Sequence, residues 1–361
     1  MGIFPRLNQR SKVLLPIRTN LSEYNEIPEL TTISSNTSIP SVQDGPTVVQ
    51  RYRSLTIGVG ATLTTQYRCC GLVLIVDGDL TVNGTISMTA RGAHFQPNGD
   101  HRIKNELLPA KDVVYEIDIP ATADEIADFL KREKRRYHSL DELPAIYRPT
   151  LYCRGPRGSV YAPADLGVIP AVGGAGGGSA VAAGGNAGAV GTGRRCGGGG
   201  SGASVGSNTY SGAGAAGTCY SGGSGGGAAA YVNAYAGSLY GGAGGAANGD
   251  RSSPSGGAGN PGGAGWSSGV AGSNGTGGRL IIICTGKIIV GSAGAISANG
   301  CSGGGGSYGG GGSGGGAIDI FYGSLENNGS IAVVGGPGGT GINATGGKGG
   351  DGCVTLDHYN F

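Results

Sequence analysis

Charge is scarce in this chain. Only 13% of its 361 residues are charged, and the formal net charge is +2. Nucleic-acid binding calls for a clustered basic face, which so thin and balanced a charge does not supply. Long apolar runs are missing too. The longest, Leu72–Val76 and Leu280–Cys284, are far too short to span a bilayer. The apolar fraction of 38% contains much alanine, and large aliphatic residues gather in a few short runs. One ordinary globular core is therefore not expected. Stability has to come from backbone hydrogen bonds, stacked strands or subunit contacts. The start, Met1–Gln9, is polar and carries Pro5, with no apolar stretch behind it, so synthesis in a cytoplasm without a secretion address is expected.

Motifs for chemistry are equally sparse. No HExxH occurs. His94 and His101 flank Asp100, but their loop spacing is poor support for a metal site. Matches to GxGxxG recur in the glycine tracts, where they carry no information without a strand before and a helix after. Asp141–Glu142 are adjacent and do not by themselves flank a glycosidic bond. The sequence thus predicts no enzyme, no cofactor and no metal. The eight cysteines include no CxxC pair, so a zinc ribbon or thioredoxin-type site is unsupported. They are either buried free thiols or cross-links formed after the product leaves the cytoplasm. Cys69 and Cys70 are the candidates for a disulfide. As consecutive strand residues they point to opposite faces, one into a core and one toward a neighbour.

What the chain has is glycine, 80 residues of it. Every third residue from Gly303 to Gly315 is glycine, and the phase recurs at Gly256, Gly259, Gly262 and Gly265. It returns at Gly335, Gly338 and Gly341, then at Gly347 and Gly350. A three-residue period matches the extended left-handed helix with three residues per turn. Such helices, with glycine on every face, can lie side by side and hydrogen-bond laterally as polyglycine II. A flexible glycine linker is the competing reading. Collagen is excluded because residues 173–278 contain only Pro254 and Pro261.

A second pattern is a repeat. From Ser54, Leu55, Ile57, Val59, Ala61 and Leu63 alternate with polar or glycine residues, a strand signal. Gly78-x-Leu80-x-x-Asn83-Gly84-Thr85-Ile86-x-Met88 then aligns with Gly323-x-Leu325-x-x-Asn328-Gly329-Ser330-Ile331-x-Val333. A looser copy spans Gly286 to Gly300, with Ile288, Val290, Ile296 and Ala298 inward. Each copy follows an aliphatic strand, and Cys353–Leu356 ends the series. One unit cannot bury its own apolar face, but stacked units can. The Asn-Gly pairs read as turns using positive φ. Leu80, Ile86, Ile288, Ile296, Leu325 and Ile331 are expected on one shared core.

The predicted fold is mainly β: a short β-helix-like ladder plus packed polyglycine-II-like segments and one small helical insertion. Its parts are a polar, proline-bearing docking arm (1–50), a first ladder unit (51–92) and a charged insertion (93–172). A glycine-rich region (173–278) and C-terminal ladder units (279–361) complete it. The insertion's helix is placed at Ala123–Tyr137, with Ile126, Phe129 and Leu130 on one face and Thr122 as N-cap. Aromatics interrupt the glycine tracts at Tyr210, Tyr220, Tyr231, Tyr235, Tyr240, Trp266 and Tyr308. A polyglycine lattice has no room for them, so they must project at edges or turns. There they either cap the lattice or form a binding surface.

The motif Gly-Asp-Leu-Thr-Val-Asn-Gly-Thr-Ile-Ser-Met-Thr-Ala-Arg-Gly-Ala at 78–93 resembles glycine-rich tail and virion proteins of tailed bacteriophages. So does Asn-Gly-Ser-Ile at 328–331 between glycine runs. The architecture is similar to the polyglycine-II adhesins at the tips of some long tail fibres. That resemblance covers 54–92 and 173–356. It implies a structural virion protein, tail-fibre or baseplate-associated, whose distal loops contact a host-surface glycan or outer-membrane protein. It also implies docking on other virion proteins through the arm and a homo-oligomer, with a trimer favoured. The alternative is an architectural component, a capsid decoration, collar or fibre-attachment protein.

Overall fold

The computed structural model describes residues 28–45, 48–93 and 253–358. Between them it describes residues 180–181, 185, 187–189, 197–202, 204–205, 212–215, 217, 221–230, 237 and 244–249. Every regular element among these is a strand, and every strand pairing is parallel. The expected helix at Ala123–Tyr137 lies outside the described residues.

The strands in chain order are β1 (Thr31–Ile33), β2 (Thr37–Ile39), β3 (Val48–Tyr52), β4 (Leu55–Ile57), β5 (Thr62–Thr65), β6 (Leu72–Val76), β7 (Leu80–Val82) and β8 (Thr85–Ser87). Four two-residue strands follow: β9 (Ala180–Val181), β10 (Ser204–Val205), β11 (Ala229–Ala230) and β12 (Asn248–Gly249). The rest are β13 (Arg279–Val290), β14 (Ala295–Ser297), β15 (Gly306–Tyr308), β16 (Ala317–Asn327), β17 (Ser330–Ala332), β18 (Gly341–Ala344) and β19 (Cys353–His358).

Pairing arranges most of them in three columns. The first runs β3–β6–β13–β16–β19, using the leading halves of the long strands β13 and β16. The second runs β1–β4–β7–β13–β16, using their trailing halves. The third runs β2–β5–β8–β14–β17. The chain visits the columns in rotation, so each circuit stacks on the one before. The repeats stack in register: Leu80, Ile288 and Leu325 form one file, and Ile86, Ile296 and Ile331 another. The first four aliphatic members of these files are buried, while Leu325 and Ile331 are partly buried against the same core. The aliphatic run of β6 is buried on both faces, as parallel sheets require.

Two expectations need correcting. Residues 1–50 do not form an arm throughout, because Thr31–Ile33, Thr37–Ile39 and Val48–Tyr52 are ladder strands. Their first members are three residues long and flanked by Ser34, Ser35, Asn36 and Pro40, too short for a period to register. The Asn-Gly pairs also work differently. Neither Asn83-Gly84 nor Asn328-Gly329 takes positive φ; among the described non-glycine residues that region holds Asp44, Ala90 and Ser267. Glycine is needed at 84 for close approach, since a Cβ there would strike the Gly58 and Ala61 carbonyls of the preceding rung.

After Ala93 the chain leaves the ladder and returns at β13, which nonetheless pairs directly with β6 and β7. Much of the glycine-rich sequence packs end-on against the first column. Residues 276–278, 314–316 and 350–352 run straight into β13, β16 and β19, whose first residues Arg279, Ala317 and Cys353 share one register.

The segment 309–316 defines the packing. Gly309, Gly312 and Gly315 donate to the carbonyls of Ala344, Gly347 and Gly350. Gly310, Ser313 and Gly316 donate to Gly304, Cys301 and Ala298, and Gly311 and Gly314 donate to Gly226 and Gly223. Three further rows donate to it: Gly339 and Gly336, Ser201 and Gly198, and Ala258 with Gly277. Six rows therefore surround one extended segment, at N···O distances of 2.8–3.1 Å, and the partner changes with a period of three residues. Ser313 carries the one side chain in this segment, its hydroxyl donating to the Gly275 carbonyl at 2.9 Å, but a Cβ on Gly314 would land on the Gly198 carbonyl.

Candidate functional site

The glycine block has two ends. One abuts the ladder. The other is reached by following 309–316 backward to β15, whose Tyr308 precedes Gly309. Four turns meet there around Pro254. Tyr308 bridges to Pro254, and the Ser255 amide donates to the Tyr308 carbonyl at 3.0 Å. The Trp266 amide donates to the Pro254 carbonyl at 3.0 Å, and Gly269 closes the turn by donating to Trp266 at 2.8 Å. Ser267 holds that turn at φ 55. Val270 donates to Gly305, and Gly306 donates to Thr340 at the head of the turn that contains β18. β15 and β18 pair, which fixes the last two turns side by side.

The turns display apolar side chains on a stiff base. Trp266 is 46% exposed, Val270 58% and Ile342 89%, whereas Tyr308 is half-buried. Residues 253–257, 264–272, 303–311 and 338–346 contain no charged residue. Their polar groups are hydroxyls and an amide. Ser253 and Ser268 hydroxyls bond each other, and the Ser253 amide approaches the Ser307 hydroxyl at 3.4 Å.

The structure thus brings Trp266 and Tyr308 together at one end, both in turns between glycine segments. Tyr210, Tyr220, Tyr231, Tyr235 and Tyr240 lie outside the described residues. Val270 and Ile342 were missed from sequence. The signal was present: a β-branched residue inside a glycine phase has no more room in the lattice than an aromatic one, so it too must project.

Elsewhere the reactive groups serve the scaffold. Cys69 is a buried free thiol whose Sγ donates to the Gly71 carbonyl at 3.3 Å, which leaves no path for a cross-link to another chain. Cys70 is half-buried and lies in a bend, not in a strand as expected, while Cys69 forms only an isolated bridge. Cys284 donates to the Gly78 carbonyl at 3.1 Å, and burial pushes its thiol up to about 12. Neither Cys69, which burial also raises, nor Cys284 is a thiolate nucleophile at neutral pH. Arg51 and Asp77 form a two-pronged pair at 2.8 and 2.9 Å, and Arg68 and Asp44 another at 2.6 and 2.8 Å. Lys287 meets Glu326 at 2.6 Å, and that hydrogen bond holds the Glu326 carboxyl below its usual range. Each pair ties neighbouring rungs. Among the described residues no group of three or more His, Cys, Asp or Glu is placed to hold a metal ion.

No family model matches this chain, and neither a curated protein nor a solved structure does.

Proposed function

We propose that this chain is a structural protein of a tailed-phage virion, tail-fibre or baseplate-associated, that presents its uncharged glycine-block turns to the host surface. In this reading the three-column ladder is a short β-helix and the glycine block is a polyglycine-II sandwich built on it. The β-helix anchors the block, and the block holds the turns rigid. The carrying observation is the clustering of Trp266, Tyr308, Val270 and Ile342 at the end farthest from the ladder. Rigid aromatic and aliphatic side chains lose little entropy on binding. An uncharged patch also costs little to strip of water. The reading carries no catalytic role and no cofactor. The same geometry supports homo-oligomeric assembly and docking on other virion proteins through the ladder, away from the turns.

The test is adsorption. Fluorescently labelled full chain should bind susceptible host cells, and Trp266→Ala with Ile342→Ser should abolish binding while thermal stability stays the same. Binding unchanged by the double variant would instead favour a purely architectural component, since the exposed turns would then have no receptor role.

A further inference from the structure

The ladder's two ends match each other. At the trailing end, β19 and β17 are edge strands among the described residues, each pairing on one side only. Val334 is 41% exposed there, Val354 37% and Leu356 43%, although Val354 and Leu356 continue the buried runs Leu72–Leu280–Ile318 and Leu74–Ile282–Ile320. The edge carries no bulge and no proline, the usual guards against further pairing. At the leading end, β3, β1 and β2 are the edges of the same three columns among the described residues. Leu30 is 57% exposed and Val42 67% beside them.

The first-column files give the chemistry of the match. One runs Val48, Leu72, Leu280, Ile318, Val354, apolar at both ends. The file two residues on runs Gln50, Leu74, Ile282, Ile320, Leu356, polar at the leading end and apolar at the trailing end. A third runs Tyr52, Val76, Cys284, Tyr322, His358, with aromatic rings at both ends; Tyr322 and His358 already face each other at 5.8 Å. Continuing the ladder by one rung therefore sets Val48 of a second copy beside Val354, Gln50 beside Leu356 and Tyr52 beside His358. In the second and third columns, leading edge strands of three residues meet trailing edges of four and three residues.

We infer that two copies of this chain stack head to tail, the leading edge of one ladder adding a rung to the trailing edge of the other. The contact is heterologous, so it propagates linearly and does not close as a two-fold dimer does. Parallel backbone pairing supplies the attraction, and the apolar Val48–Val354 file and the aromatic Tyr52–His358 file set the register.

Mass photometry and sedimentation of the full chain across a concentration series test it. Two blocked variants are needed, both at exposed sites so that the fold survives: Leu356→Arg at the trailing edge and Thr37→Arg at the leading edge. Circular dichroism and melting confirm folding of each. The wild type should give dimers and longer species that grow with concentration. Each variant alone should associate about a hundredfold more weakly, as expected when a charge is forced into an apolar contact. Their equimolar mixture should restore a dimer and nothing longer, because one open edge of each kind remains. The inference fails if the mixture stays monomeric. It also fails if Thr37→Arg alone still dimerises, which indicates an edge meeting its own copy, or if the wild type is a closed trimer or a monomer throughout.

Discussion

In the ladder a strand hydrogen-bonds to two neighbours and buries its side chains against them. In the glycine block, segment 309–316 hydrogen-bonds to six rows and buries almost nothing but backbone. The two regions run into one another without a break at Arg279, Ala317 and Cys353, but the ladder pairs only in parallel while the rows around 309–316 run in both directions. The difference lies in what each tolerates. The ladder is held by apolar area, about 25 cal/mol per Å², which accepts conservative changes in shape. The block is held by satisfied backbone groups at contact distance, which accept no added atom where glycine meets backbone.

The largest expected effect follows from that intolerance. Gly314→Val should cost above about 5 kcal/mol or prevent folding of the block, because the side chain enters a backbone-to-backbone contact on several sides. Chemical denaturation followed by circular dichroism measures it. A loss under about 1 kcal/mol would mean the block yields like a core. Leu80→Ala, by contrast, deletes a core side chain and should cost about 2–5 kcal/mol while the fold persists. The ladder also has a pH limit that segment 309–316, lacking any titrating side chain, does not share. Cys284 is raised by burial from 9.0 to about 12. Its contribution is fully present below pH 9.0 and is lost as pH rises toward 12, so ladder stability should fall across that window. Replacing Cys284 with alanine should flatten the slope; an unchanged slope assigns the loss to other groups.

The repeat was legible in the sequence because Leu80, Asn83-Gly84 and Ile86 recur as Leu325, Asn328-Gly329 and Ile331, and in-register stacking needs like residues at like places. The first rung was not, since Thr31–Ile33 and Thr37–Ile39 are shorter than any period that could reveal them. The three-residue glycine phase was visible at Gly303–Gly315 and matches the partner rotation of 309–316. Which rows surround which could not be read, because glycine tracts carry no side chains to specify a register. That information sits at the junctions. Asn260 is one: it is 3% exposed, and its Nδ2 donates to the Gly92 carbonyl at 2.9 Å and to Thr276 Oγ1 at 3.2 Å, tying ladder to block.

Asn260→Ala should therefore cost about 1–3 kcal/mol, since a buried acceptor loses its partner. The loss should appear first as separate melting of the two regions in calorimetry; a single sharpened transition would argue that the junction lies elsewhere. The smallest stability effect belongs to the exposed turn. Trp266→Ala should shift stability by no more than about 0.5 kcal/mol, which marks the side chain as available for contact and not needed for packing.

The most direct measurement is native-state hydrogen exchange of the amides of residues 309–316, read beside those of β13 and β16. If six-row backbone bonding holds the glycine block as firmly as apolar burial holds the ladder, the two sets exchange with comparable, high protection. Exchange of 309–316 near the rate of an open chain, with β13 and β16 still protected, would contradict the account.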